Sequence, residues 1–289
     1  MYDKPAIGIL GGSGLYDIPD IEDLQTHSVE TPFGNPSDAP IEGTWNGRRV
    51  VFIARHGQGH RVDPSHVPYR ANIYAMKQLG VRRILAVSAV GSLKEGLPPG
   101  HMVAVDQFID RTRHREDSFF GDGCVAHVSL ADPVCTAQQK LLVQCAQAED
   151  LIIQDGGTYV CMEGPQFSTR AESNMYRSFG ASVIGMTNLT EARLAREAEI
   201  CYATLALVTD YDCWHEAEED VSAEAVVQTV RRNVRNAQRV LSRALQTLDP
   251  TSDCGCQRAL DGAVMTHPGH LSDEGKEKLG LLLQRISAS

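Results

Sequence analysis

Positive charge is scarce in this chain of 289 residues: 27 Lys and Arg stand against 37 Asp and Glu, a formal net charge of −10. A basic face for nucleic acid is therefore not expected. Any anionic substrate must be held by a local cluster of cations and N–H groups. No stretch of about eighteen apolar residues occurs, so no membrane span is predicted. The opening MYDKPAIGILGGSG has no long apolar run, so no secretory leader is expected and the predicted location is cytoplasmic. Metal-type cysteine spacing is also missing. Of the cysteines at 124, 135, 145, 161, 201, 213, 254 and 256, the first six are scattered and read as small buried hydrophobes. Cys254-Gly-Cys256 is one close pair where a zinc knuckle wants two. No metal site is predicted; a disulfide or a redox role for that pair stays open.

What is present is an alternation of strand-length apolar runs with helical patterns, which predicts an α/β fold. Strands are read at 6–10, 50–54, 83–88, 101–106, 158–162, 181–186 and 201–208. Helices are read at 71–79, 136–147, 170–179 and 189–198. From Ser222, a good cap, Val226, Val230, Val234, Ala237, Leu241 and Leu245 recur at helical spacing and predict one long amphipathic helix. Residues 249–262 read as a linker and 272–286 as a final helix. The division expected is a catalytic unit over 1–248 and a tail over 249–289.

In α/β sheets ligands bind beyond the carboxyl ends of strands. Those ends carry Ser13, Arg55-His56, Ser88, Glu163, Met186-Thr187 and Asp210. The glycines of Gly11-Gly12-Ser13-Gly14 let N–H groups approach an anion; the same run also reads as a tight structural turn. Arg55 offers a planar fork to phosphate oxygens. His56, His60 and His66 can be read as metal ligands, although Gly57 and Gly59 argue against the helix that spacing would suit. Asp210-Tyr211-Asp212 follows the most apolar strand. In extended chain both acids point to one side, and burial and mutual repulsion should raise a pKa there, making a proton donor near neutrality. Phe167, behind Glu163-Gly164-Pro165, suits stacking on a flat ring.

Taken together, IGILGGSGLYD (7–17), TPFGNPSDAP (31–40), ARHGQGH (54–60), PYRANIYAMKQLG (68–80), AVGSL (89–93), DQFIDRT (106–112), EGPQFSTRAE (163–172), GMTNLTEARLAREAEICYA (185–203) and TDYDCW (209–214) closely resemble the trimeric nucleoside phosphorylase family. TDYDCW points to the branch acting on 5′-methylthioadenosine. The resemblance spans about residues 6–245 and matches poorly after about 250. It implies a single-domain fold with a central mixed β-sheet flanked by helices. It implies a homotrimer that needs no cofactor, takes inorganic phosphate as co-substrate, and serves purine and methionine salvage. Phosphate contacts carry over to Ser13, Arg55, His56, Ser88 and Thr187, with Ala89 beside base and ribose. Nucleoside contacts carry over to Phe167, Ser168 and Met186, and to Ala223 and Val227 lining the methylthio pocket, which His127 of a neighbouring subunit also reaches. Asp210 and Asp212 match the pair that binds purine N7 and the 6-amino group, and are the expected catalytic residues. One departure stands out: Met186-Thr187-Asn188-Leu189-Thr190-Glu191 lacks the proline usual in that run.

Carboxylates accept from a 6-amino group but face an acceptor in a 6-oxopurine, a mismatch of roughly 1–3 kcal/mol. Adenine-type substrates are therefore expected. The alternatives are a 6-oxopurine or methylthioinosine phosphorylase, a metal-dependent nucleoside hydrolase or deaminase built on the histidines, and a purine-binding module without turnover.

Overall fold

Ala6–Gly11 (β1) is buried at all six positions. It pairs in parallel with Arg48–Ala54 (β4) on one side and Val81–Ser92 (β5) on the other. A strand with neighbours on both edges and cover on both faces reads as a continuous apolar run, which is why it is visible in the sequence. The computed structural model describes residues 5–12, 15, 21–215 and 223–287.

The strand order is Glu22–Thr26 (β2), Ile41–Trp45 (β3), β4, β1, β5, Val183–Gly185 (β10), Thr158–Met162 (β9), Gln107–Arg111 (β7). Cys201–Asp210 (β11) also pairs with β5, Met102–Ala104 (β6) with β11, and Ile153–Asp155 (β8) with β6. β5 is the axis. Its first half pairs with β1, most of its length runs parallel to β11, and Gly91 and Ser92 meet β10 antiparallel. The sheet is mixed, with β3 antiparallel to both β2 and β4.

Helices cover both faces. Tyr69–Gln78 (α1), Asn188–Glu197 (α4) and Asp273–Ser287 (α6) bury Ile73, Met76, Leu194, Leu279, Leu282 and Leu283 in one cluster with Ala6 and Leu10. Thr136–Ala148 (α2) and Ala223–Thr247 (α5) pack against Ile7, Ile9 and Phe52 on the other face. Alternate residues of β1 thus feed opposite cores, as the strand's period of two requires. On α5 the predicted stripe holds: Ala237, Leu241 and Leu245 are buried and Val234 is partly so. The predicted cap Ser222 lies outside the described residues, as do the side chains of Val226 and Val230. Arg170–Ser178 (α3) starts at Thr169, whose hydroxyl accepts from the Glu172 N–H while Glu172 returns a bond to the Thr169 N–H, a reciprocal cap.

The strand expected over 101–106 shortens to Met102–Ala104. β2, β3, β7 and β8 have no counterpart in the sequence reading. β2 (EDLQT) is exposed throughout, so it carries no apolar period. The tail joins the body: Met265 N–H donates to Val125 O at 2.8 Å and His127 N–H to Ala263 O at 2.9 Å. Among the described residues no helix is long and apolar enough to cross a membrane.

Candidate active site

Arg55 and His56 follow directly on β4. Arg55 is 2% exposed. Its Nε and Nη2 grip the carboxylate of Glu191 on α4, Nη2 to Oε2 at 3.0 Å, and its Nη1 donates to Val87 O on β5 at 3.0 Å. Glu191 Oε2 also accepts from the Tyr202 hydroxyl at 2.8 Å and from Asn188 Nδ2 at 3.3 Å. Burial alone would push the guanidinium towards losing its proton; the charge and hydrogen bonds of Glu191 reverse that and hold it more firmly protonated than usual. The sequence reading gave the whole fork to phosphate. The structure corrects this: the Nε–Nη2 edge belongs to Glu191, because a buried cation without a partner is costly. Three of five N–H groups are engaged, which leaves two for an anion.

His56 Nδ1 lies 2.8 Å from Val62 O. A carbonyl only accepts, so Nδ1 carries the hydrogen and Nε2 is the acceptor in the neutral ring. Burial first, then the Arg55 charge, lower this histidine to about 4, so it is neutral at physiological pH. His66 turns instead to Asp63, with Nδ1 and Oδ2 2.7 Å apart, and the three histidines do not assemble into a metal-ligand group.

Ser88 follows Val87 on β5 and is buried, yet the next residue, Ala89, is exposed between buried neighbours. An exposed position in the middle of a central strand marks the floor of a cleft. Thr187 is the N-cap of α4 and 3% exposed. Its N–H donates to the Tyr159 hydroxyl at 3.4 Å. That hydroxyl also contacts Ser88 and passes so close to Gly185 that a Cβ there would sit 2.1 Å away. Only glycine fits at 185, and Tyr159 thereby ties Ser88 to Thr187.

The two acids lie at the far end of β11, where Asp210 pairs with Gly91. Asp210 Oδ1 accepts the Asp212 N–H at 2.8 Å, and the Thr209 hydroxyl is 2.6 Å from Oδ2. Asp212 has a φ of 53°. The chain therefore turns here, which corrects the expectation of an extended pair. The acids converge because Asp210 caps the turn. Both carboxyls are raised above the usual range, in each case mainly by burial. Asp212 Oδ2 is buried with no hydrogen-bond partner among the described residues. The turn is pinned by Trp214 Nε1 donating to Ser92 O at 2.7 Å. Cys213 Sγ donates to Ser168 O at 3.2 Å, which brings in the 163–168 loop.

In that loop Phe167 is 45% exposed and Ser168 half-buried. Gly164, at φ +72°, leaves room for Met186, whose Sδ would lie 2.6 Å from a Cβ at 164. Glu163 is a brace: it accepts from Ser65 Oγ at 2.5 Å, from the Arg113 N–H and from the His114 N–H at 3.2 Å. Two groups emerge, Arg55, Ser88 and Thr187 around Glu191 and Tyr159, and Asp210, Asp212 and Ser168 around Gly91. His127 is exposed and hydrogen-bonds to neither. Ser13 lies outside the described residues; Ala223 and Val227 lie on the backbone of α5, their side chains outside the description. The sequence reading missed Glu191 and Tyr159 as organisers. It also missed that Cys135, Cys201, Cys254 and Cys256 converge elsewhere.

The family model described as Phosphorylase superfamily matches residues 6–246. The chain belongs to the phosphorylase superfamily. Among members of the superfamily, the S-methyl-5′-thioadenosine phosphorylase of Geobacter sulfurreducens is 53% identical over 97% of this chain and 98% of its own. That of Koribacter versatilis is 52% identical over 96% and 95%. A methylthioadenosine phosphorylase from an antarctic soil metagenomic library superimposes with a TM-score of 0.91 at 51% identity, covering 98% of this chain and all of that one. A variant of the Schistosoma mansoni adenosine/methylthioadenosine phosphorylase, solved in complex with methylthioadenosine, gives 0.84 at 35% identity over 90% and 96%.

Proposed function

We propose that this phosphorylase cleaves 5′-methylthioadenosine with inorganic phosphate. A phosphate oxygen bonds to C1′, the bond from C1′ to purine N9 breaks, and adenine and 5-methylthioribose 1-phosphate leave. The transition state has oxocarbenium character and the purine departs with the bonding electron pair. A proton delivered to N7 makes it a better leaving group. Asp210, raised by burial, is the donor, and Asp212 accepts from the 6-amino group. The buried pair Asp210 and Asp212 at the end of β11 is the observation that carries this reading.

At the other end, phosphate sits against the two remaining N–H groups of Arg55, the hydroxyls of Ser13, Ser88 and Thr187, and His56. His56 Nε2, an acceptor in the neutral ring, matches the P–OH of hydrogen phosphate. The proton that phosphate loses on attack replaces the one Asp210 gives. Held cations and hydroxyls supply orientation and charge stabilisation without a metal or cofactor. Phe167 and Met186 face the nucleoside, Ala89 floors it, and Ala223 and Val227 line the methylthio end. The working assembly is a homotrimer in which His127 reaches a neighbour's pocket, and its exposure here suits that role. Residues 1–248 form the catalytic unit and 249–289 brace it. Eight unpaired thiols suit the cytoplasm.

The test is release of free base from 5′-methylthioadenosine with and without phosphate, beside 5′-methylthioinosine. Adenine release that needs phosphate and outpaces hypoxanthine release is expected. Faster hypoxanthine release would overturn the reading of the two acids, and release without phosphate would overturn phosphorolysis.

A further inference from the structure

Four cysteines far apart in sequence share one spot away from the cleft. The Sγ atoms of Cys135, Cys201, Cys254 and Cys256 all lie within 4.8 Å of one another. Cys135 is the N-cap of α2, and its N–H donates to Tyr202 O at 2.7 Å. Cys201 opens β11. Cys254 and Cys256 come from the tail, at the head of a short 3-10 turn over Gly255–Arg258, closed by Gln257 N–H donating to Cys254 O at 3.0 Å. Three of the four are buried and Cys254 is half-buried. No aliphatic side chain belongs to the cluster. Cysteines that only fill space mix with Val, Leu and Ala, whereas a nest of sulfur alone is a ligand set.

We propose that Cys135, Cys201, Cys254 and Cys256 form a tetrathiolate site for one zinc ion, which fastens the C-terminal segment to the roots of α2 and β11. A Zn–S bond of about 2.3 Å places the sulfurs of a regular tetrahedron ~3.8 Å apart. Cys135 Sγ and Cys254 Sγ are 3.7 Å apart. A disulfide needs about 2.0 Å, and all eight cysteines are free thiols here. Loading the ion releases one proton per thiol and leaves a site of net charge about −2. The positive end of α2, at Cys135, opposes that charge, and the Arg196 guanidinium acts on Cys256 from nearby. With all four ligands from protein the site is closed and structural, and it offers no open position for catalysis.

The chain, purified under reducing conditions without chelator, is assayed for zinc by mass spectrometry. One zinc per chain is expected. The double variant Cys254→Ser, Cys256→Ser should fall below about 0.1 per chain while Cys145→Ala keeps the full amount. Replacement by cobalt(II) in the unaltered chain should give thiolate charge-transfer bands and the intense visible spectrum of a tetrahedral S4 site. This arm stands even where a variant misfolds. Stripping the metal should lower Tm and leave kcat at low temperature unchanged. Purified chain that holds no zinc and takes up neither zinc nor cobalt overturns the site. So does a thiol titration in denaturant without reductant that finds at least two fewer than the eight cysteines, since the sulfurs would then be disulfides.

Discussion

Glu191 holds Arg55 by both carboxylate oxygens, and Tyr202 and Asn188 hold Glu191 in turn. The cation proposed for phosphate is thus aimed by α4 and β11, not by the β4 loop that carries it. Glu191 acts as a positioning residue.

Substituting Glu191→Gln keeps the shape and removes the charge. Breaking a buried pair by one partner costs about 3–5 kcal/mol of stability. The phosphate KM should rise at least about tenfold, a loss of roughly 1.4 kcal/mol of binding, with a smaller change in nucleoside KM. Phosphate saturation kinetics beside a denaturant titration separate the two effects. An unchanged phosphate KM would detach Glu191 from the anion site.

Asp210→Asn removes the proton donor and keeps the volume. Phosphorolysis of 5′-methylthioadenosine should slow by at least about tenfold, near 1.4 kcal/mol in barrier. Steady-state rates at saturating phosphate decide it, and an unchanged rate takes Asp210 out of the chemistry.

The pH profile follows from the same carboxyls. Burial raises Asp210 above the ordinary acid range, so its protonated form persists to higher pH and the rate should fall as pH climbs through its titration. His56, at about 4, is neutral throughout the neutral range and adds no limb there. Asp210→Asn should therefore flatten the descending limb. A limb that survives in this variant would belong to another group.

How far the sequence is legible depends on what each feature rests on. β1 and β11 are buried at nearly every position and stand out as apolar runs. Arg55, Ser88, Thr187 and Asp210 are visible because strand ends meet at one edge of such a sheet. The β3–β4 hairpin was readable but overlooked: Asn46-Gly47 sits at φ 51° and 71° between paired strands, a strong turn signal. The turn at Asp212 was hidden, since nothing in TDYDCW says where extension ends. The four-cysteine cluster was hidden for a different reason: its members lie on three separate parts of the chain, and spacing reports only ligands that are neighbours in sequence.

Glu197 offers a test of stability. Its carboxyl, near the end of α4, accepts from Phe119 N–H at 2.7 Å and from Ser118 Oγ at 2.8 Å. Burial, then the charge of Asp117, raise it from 4.5 to about 7. Between those values the folded chain keeps a proton that the unfolded chain has lost, so stability falls as pH rises through that window. The gap corresponds to roughly 3 kcal/mol at most. Glu197→Gln, which retains an acceptor for Phe119, should flatten Tm against pH from mildly acid to neutral and melt higher than the parent on the alkaline side. A parent Tm that does not drop across this range would show Glu197 to be ionised when folded.

Ala6 and Leu10 share a core cluster with Leu279, Leu282 and Leu283. On the ribosome the first strand is made long before the helix that covers it. One face of the sheet must therefore wait, uncovered, until α6 has emerged. A message broken late, or a stalled ribosome, leaves a nascent chain with nearly every site residue but an apolar face open to its neighbours. Such a chain is a target for chaperones and proteases, so the last few turns of helix act as the cell's check that synthesis has run its course.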